Sequence, residues 1–183
     1  MITLLYWFHN FTVTDIRLQI RKYYGNLNNI LSVLGKGRNE MAAVHLIQCY
    51  CVPSLTYAAC EIWQMTAAES HKVNVQWNSI FRRIFNCLRE STSGLQFYCN
   101  SLPMNFITDQ HAVLFHRRIM NSYSSSTSTI LHALLRTKQC RVLSLLAKYN
   151  ILSLSSSQQL IKSCIWNSFV TKSVRAGHIS VSV

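Results

Sequence analysis

Apolar residues recur along this chain at intervals of three and four positions, the spacing that places them on one face of an α-helix. Residues 16–34 form the first such stripe, and Gly35 follows it in the position where a glycine commonly ends a helix. Asp15, preceded by Thr14 as a candidate cap, stands where the stripe begins. We therefore predict a first helix from about residue 15 to residue 34.

Two further apolar segments follow. Residues 39–64 are nearly free of charge, which is typical of a helix at the centre of a domain. Pro53 is expected to kink that helix or split it in two, because proline lacks a backbone donor and crowds the preceding turn. Residues 67–88 predict an amphipathic helix with one wide apolar stripe. The stripe consists of Val73, Trp77, Ile80, Phe81, Ile84, Phe85 and Leu88.

The C-terminal half continues the helical pattern. Pro103 is expected to start a helix that ends near Tyr123, after which a Ser-rich loop follows at 122–129. Beyond the loop, residues 130–136, 142–149 and 160–169 predict shorter helical segments. The predicted buried side of the helix after Pro103 is formed by Ile107, His111, Leu114, Phe115 and Ile119.

The small number of glycine and proline residues supports one fold class. Five Gly and two Pro in 183 residues provide few of the turn residues that a fold of short strands requires. We predict an all-α fold, an irregular bundle of about six to eight helices. The Ser-rich loop is the predicted internal boundary, so the domains are a helical domain at 1–121, the loop at 122–129 and a C-terminal helical extension at 130–183.

The net charge of the chain indicates which class of partner it binds. Eighteen Lys and Arg against six Asp and Glu give a formal net charge of +12. Such a balance predicts a polyanionic partner, nucleic acid before an anionic membrane. The candidates for phosphate contact are the basic residues beside the apolar stripes, because guanidinium and ammonium groups pair with phosphate oxygens. They are Arg82, Arg83 and Arg89 on the third predicted helix, Arg117 and Arg118 on the next, and Arg17, Arg21 and Lys22 on the first.

The same residues allow a plainer interpretation. Basic side chains on a helix that packs through its other face can form a solvated surface without any ligand. Trp77, Phe81 and Phe85 could stack on bases, but their helical spacing among aliphatic residues favours a place in the core.

The sequence offers no motif for catalysis. The acidic residues Asp15, Glu40, Glu61, Glu69, Glu90 and Asp109 are scattered, and no local pattern of a polymerase, nuclease or glycosidase centre occurs. No Gly-x-Ser-x-Gly elbow is present. Cys87, Cys99, His111 and His116 have spacings that match no common zinc site. We expect a chain that is not an enzyme and that holds no metal and no cofactor.

The seven cysteines form an odd set without regular spacing, which is typical of a reduced, intracellular protein of the nucleus or cytoplasm. Residues 1–11 are apolar but lack a preceding basic stretch and a cleavage site, and they are too short to cross a bilayer. We therefore expect neither a signal peptide nor a membrane anchor.

The order of several short motifs resembles a known family. Ile20-Arg21-Lys22-Tyr23-Tyr24 and Asn28 lead to Leu46 and Cys51-Val52-Pro53-Ser54-Leu55-Thr56-Tyr57, then to Trp63, to Trp77-Asn78-Ser79-Ile80-Phe81-Arg82-Arg83-Ile84-Phe85, and to Leu95-Gln96-Phe97-Tyr98-Cys99 with Leu102-Pro103. This order is similar to the region just downstream of the catalytic core in reverse transcriptases of non-LTR, LINE-type retrotransposons. The resemblance covers about residues 12–135, and its most specific part is the run from Trp77 to Phe85.

The resemblance implies a helical, thumb-like region that helps to hold the template and primer duplex in the cleft of an RNA-directed DNA polymerase. In that family the metal-binding aspartates lie upstream, in a Tyr/Phe-x-Asp-Asp turn and an earlier strand. No Asp-Asp pair occurs here. The implied function is that of a non-catalytic fragment whose basic helices contact the nucleic-acid backbone. Residues 136–183 have no counterpart in the resemblance.

Two other interpretations remain open. The helices could be a structural module that docks on a missing polymerase core, in which case the apolar segment at 41–65 and the stripe at 77–88 would form an uncovered patch. The chain could also be a decayed remnant of an element, with no independent function.

Overall fold

The computed structural model describes residues 2–35, 39–56, 66–87, 92–121, 129 and 141–177, with side chains from residue 18 onward. Over these ranges the regular elements are all helices and no strand occurs, which confirms the predicted all-α class and a number of helices within the range of six to eight. The helices are α1 (Ile2–Leu34), α2 (Glu40–Tyr50), α3 (Val52–Thr56), α4 (Ala67–Phe85), α5 (Thr92–Tyr98), α6 (Met104–Met120), α7 (Arg141–Lys148) and α8 (Gln158–Arg175).

Helix α1 is longer than its sequence pattern predicts. It begins at Ile2 rather than near Asp15, because no Gly or Pro interrupts the backbone over residues 2–14. Its end agrees with the prediction, since Gly35 adopts a positive φ of 59° and donates its N–H to the Leu31 carbonyl at 3.0 Å. Within the described ranges, no helix is both long enough and apolar enough to cross a bilayer.

The next segment is divided at the predicted proline. Helix α2 starts at an Asn39 cap, whose side-chain oxygen accepts from the N–H groups of Met41 and Ala42 at 3.1 and 3.2 Å. It ends at Tyr50, and α3 begins at Val52 with Pro53 in its first turn, where the missing N–H costs nothing. The predicted split at Pro53 is confirmed.

Helix α4 follows its sequence pattern closely. A capping box at its start joins Thr66 and Glu69 in both directions, and Asn86 ends it in the left-handed region at φ 49°. Val73, Trp77, Ile80 and Phe81 are buried, as the apolar stripe predicts. Ile84 and Phe85 are half-buried, and Leu88 lies outside the described residues.

Helices α1 to α4 form the first of two compact units, which extends to Thr92. Each of the four helices contributes to its interior, and Trp77 and Phe81 meet edge to face with ring centroids 5.3 Å apart. The buried apolar side chains are Tyr23, Leu27, Ala43, Val44, Ile47, Cys51, Leu55, Val73, Trp77, Ile80 and Phe81. The part of the α4 stripe from Val73 to Phe81 is therefore covered, and α4 contacts α1 and α2.

The second unit begins at Ser93, and its core joins α6, α7 and α8. Phe106 lies edge to face with Phe169 at 5.7 Å and tilted against Tyr149 at 6.0 Å. This division differs from the boundary that the sequence suggested at 122–129, where residues 122–128 lie outside the described part of the chain. Helix α6 groups with the C-terminal helices because its apolar side chains complete their core. The remaining core residues are Ala112, Val113, Val142, Leu145, Ile151, Leu154, Ile161 and Ile165.

The buried face of α6 is not the predicted one. The side chains expected inside are only half-buried, and they are Ile107, His111, Leu114, Phe115 and Ile119. The fully buried face instead carries Phe106, Asp109, Ala112 and Val113. An apolar sequence pattern does not reveal this face, because the charged residue Asp109 lies on it. Asp109 can be buried because Arg141 and Lys148 on α7, and Tyr149 just after α7, donate hydrogen bonds to its carboxylate.

Replacement of Trp77 by alanine should test how far the first unit depends on the α4 stripe. Trp77 is fully buried, so we expect Trp77→Ala to lower the free energy of unfolding by about 3–5 kcal/mol in urea titration. Val33→Ala is the control, because Val33 is 85% exposed on α1 and its truncation should change stability by no more than about 0.5 kcal/mol. Equal effects of the two substitutions would contradict the described packing.

Candidate nucleic-acid interface

Two tyrosines fix α4 against α1. The Tyr23 hydroxyl donates to the Gln76 backbone carbonyl at 3.0 Å, and the Tyr24 hydroxyl donates to the Gln76 side-chain oxygen. Gln76 therefore marks the flank of α4 that faces α1. Cations that share this flank lie along the contact between the two helices.

Helix geometry identifies those cations. Lys72 and Arg83 stand one turn before and two turns after Gln76, so all three share one flank of α4, and both cations are exposed. On α1, Arg21 lies one turn before Tyr24 on the same side and is also exposed. We call Arg21, Lys72 and Arg83 the basic seam of the first unit. Of these, Lys72 was missed by the sequence interpretation, although its spacing from Arg83 could have shown it.

The Tyr23 hydroxyl stays protonated in the first unit. Burial raises the pKa of this hydroxyl above its ordinary value, with further contributions from the nearby Cys51 and Tyr24 side chains. The Arg83 charge acts in the opposite direction and lowers the pKa of Tyr23.

Other candidate cations of the first unit lie away from the seam. Arg82 falls on the opposite flank of α4, is half-buried, and extends its Nε towards the Asn78 carbonyl at 3.5 Å. Lys22 is exposed on the flank of α1 opposite Tyr24. Arg17 belongs to α1, but its side chain lies outside the described residues, as does the whole of Arg89.

The two arginines of α6 belong to the second unit. Arg117 donates from Nε to the Ser156 carbonyl at 2.8 Å, which ties α6 to the loop before α8. Arg118 is exposed near the end of the same helix. One N–H of Arg117 therefore serves the fold and is not available to a ligand.

Sequence reasoning did not find the densest charge cluster of the described chain. The Asp109 carboxylate accepts from Arg141 at 3.3 Å, from Lys148 at 2.5 Å and from the Tyr149 hydroxyl at 2.7 Å. Burial, followed by the bond to Asp109, raises the pKa of the Tyr149 hydroxyl, so this tyrosine stays protonated as a donor. The cluster joins residues that are more than 30 positions apart in the sequence, so no local sequence pattern indicates it.

The residues considered for zinc serve other contacts. His116 places Nδ1 2.8 Å from the Ala112 carbonyl, and Cys87 approaches the Phe81 carbonyl at 3.9 Å. Cys99 is buried, which raises the pKa of its thiol. Within the described ranges no three His, Cys, Asp or Glu side chains stand close enough to hold a metal ion. What the geometry does offer is fixed positive charge beside hydrogen-bond donors, the chemistry that binds phosphate.

The Asp109 cluster should carry measurable stability. Asp109→Asn removes a largely buried charge that faces two half-exposed cations, and we expect a decrease of about 1–3 kcal/mol in the free energy of unfolding. A double-mutant cycle with Lys148→Met isolates the pair. A coupling energy of at least about 0.5 kcal/mol is expected, whereas strict additivity would show that the ion pair contributes nothing.

Alkaline pH should weaken the first unit. Burial raises the pKa of the Cys51 thiol from 9.0 to about 11, and the Tyr23 pKa is also raised. The unfolded chain releases the Cys51 proton near pH 9 while the folded chain holds it, so the free energy of unfolding should fall as pH rises from 9 to 11. Urea titrations across this range measure the fall, and Cys51→Ala should make it shallower. An unchanged stability throughout the range would contradict burial of these groups.

No protein-family model, curated protein or solved structure matches the chain.

Proposed function

We propose that this chain is a non-catalytic module that binds the phosphate backbone of a nucleic-acid duplex through the basic seam of its first unit. The observation that carries the proposal is that helix periodicity places the exposed cations Lys72 and Arg83 on the flank of α4 that carries Gln76, and Arg21 on the side of α1 that carries Tyr24, while Tyr23 and Tyr24 fix these two helices against each other. Three exposed cations on two packed helices can meet phosphates of one nucleic-acid backbone.

The composition supports the same function. A net charge of +12 produces a positive field around the molecule, which accelerates encounters with a polyanion and makes its binding depend on salt. Arginine and lysine contacts to phosphates fix position but do not distinguish bases. The binding should therefore be largely independent of sequence.

The aromatic side chains favour backbone contact over base stacking. Trp77 and Phe81 are fully buried in the first unit, so neither offers a face to an unpaired base. Phe85 is half-buried at the end of α4. Because the three aromatic residues of α4 are buried or half-buried, this helix offers charge rather than a stacking face, which suits a duplex whose bases are stacked inside.

The similarity to LINE-type reverse transcriptases gives the proposal its biological setting. A thumb-like helical module beside a polymerase cleft would hold the template and primer duplex by its backbone, and it would need no catalytic residues of its own. The run from Trp77 to Phe85 carries that similarity, and in α4 it presents a buried stripe together with Arg82 and Arg83. Docking on a polymerase core through the α4 stripe is less favoured, because the stripe from Val73 to Phe81 is already buried within the first unit.

The proposal predicts a defined dependence of duplex affinity on salt. The slope of log affinity against log salt concentration should become shallower by about 0.9 for each phosphate that the protein no longer neutralises, so Lys72→Ala with Arg83→Ala should flatten it by about 1.8, whereas Arg82→Ala, on the opposite flank of α4, should leave it unchanged. Fluorescence anisotropy of a labelled DNA duplex, titrated at several salt concentrations, measures this slope.

Lys72→Arg with Arg83→Lys is the matched control, because both charges remain on the same helix and the slope should be retained. Circular dichroism of every variant checks that α4 remains folded. A slope that is unchanged by Lys72→Ala with Arg83→Ala would remove both residues from the interface and contradict the seam.

A further inference from the structure

A cleft in the second unit carries a separate set of cations. Its volume is about 360 Å³, within the size of a small-ligand pocket, and it lies between the end of α7 and the last turns of α8. The side chains of α8 that line it recur at helical spacing, so one face of this helix forms its wall. The lining residues that matter here are Lys148, Asn167, Ser168, Thr171, Lys172 and Arg175.

Two of these cations are held in place by their neighbours. The Lys148 ammonium lies 2.5 Å from the Asp109 carboxylate and 5.9 Å from the centre of the Phe106 ring. The Lys172 ammonium lies 5.4 Å from the centre of the same ring. The Phe106 ring attracts both ammonium groups, and both cations line the cleft.

The local charge balance remains positive. Among the described residues of the second unit, Asp109 has the only carboxylate side chain. It forms ion pairs with Arg141 and Lys148 rather than with Lys172 or Arg175. None of the described residues that line the cleft is acidic. An anion in the cleft would lower the repulsion between these cations, and the amide and hydroxyl groups of Asn167 and Ser168 would add hydrogen bonds.

Cations near helix C-termini also interact favourably with the helix dipole. That effect explains why each of Lys148 on α7 and Lys172 and Arg175 on α8 stands in the last turn of its own helix. It does not require them to line one cleft together with four uncharged polar side chains. The shared concavity is the feature that indicates a ligand.

We infer that this cleft binds a phosphate group of a nucleic-acid strand, as a further contact in addition to the basic seam; the nucleic-acid source rests on the proposed function. The ring that lines the cleft, Tyr149, is 3% exposed, and its hydroxyl donates to Asp109. The cleft therefore offers no ring on which a base could stack, and it recognises phosphate rather than base.

The test compares two lysines of the same helix. Lys172→Ala removes a cation from the cleft, while Lys162→Ala removes an exposed cation of α8 that lies outside it. With a short single-stranded oligonucleotide as the probe, Lys172→Ala should flatten the salt slope by about 0.7 and Lys162→Ala should leave it unchanged. Lys172→Arg should restore the slope, because the charge is kept.

A second measurement uses inorganic phosphate alone. At equal ionic strength, replacing chloride by phosphate should raise the Tm of the wild-type chain and of Lys162→Ala, and should raise that of Lys172→Ala less. This comparison also detects a general failure of folding in Lys172→Ala, because its Tm in chloride is recorded first.

The outcomes separate the cleft from the seam. Equal salt slopes for Lys172→Ala and Lys162→Ala would overturn the cleft, even if Lys72→Ala with Arg83→Ala flattens the slope and the proposed function stands. A flatter slope for Lys172→Ala with no effect of Lys72→Ala with Arg83→Ala would support the cleft and overturn the seam. Phosphate protection that depends on Lys172 without oligonucleotide binding would assign the cleft to free phosphate and overturn its nucleic-acid ligand.

Discussion

The second unit depends on the neutralisation of one carboxylate. Asp109 lies on the inward face of α6, and a buried, unpaired charge there would cost several kcal/mol. Arg141 and Lys148 on α7, and Tyr149 just after it, supply the donors that make this burial possible. The same contacts fix the position of Lys148 at the cleft, so the stability of the core and the charge of the cleft are linked.

The sequence predicted the elements whose causes are local. The α4 stripe, the glycine that ends α1 and the split at Pro53 each depend on a few neighbouring residues, and each is found where the pattern places it. The start of α1 was not predicted, because helix continuation over residues 2–14 leaves no amphipathic signal. The buried face of α6 was misassigned because a charged residue such as Asp109 is expected at the surface. The partners that allow its burial lie 32 to 40 positions away in the sequence.

The candidate site shows the same division between local and distant causes. Arg82 and Arg83 were predicted as one pair, yet adjacent positions on a helix point about 100° apart, and only Arg83 shares the flank that faces α1. Net charge and helix spacing could identify which residues are cationic and exposed. They could not show that Tyr23 and Tyr24 of α1 both donate hydrogen bonds to Gln76 of α4. Nor could they show that Lys148 and Lys172, from two different helices, both lie near the Phe106 ring.

The burial of Cys51 has a consequence for the redox chemistry of the chain. Oxidants and alkylating reagents attack the thiolate, and a thiol with a pKa of about 11 that is closed off from solvent supplies very little of it at neutral pH. Cys49, two positions earlier on α2, is exposed. Oxidative damage to this helix therefore falls first on the outer sulfur, where it leaves the packing of α1, α2 and α4 intact.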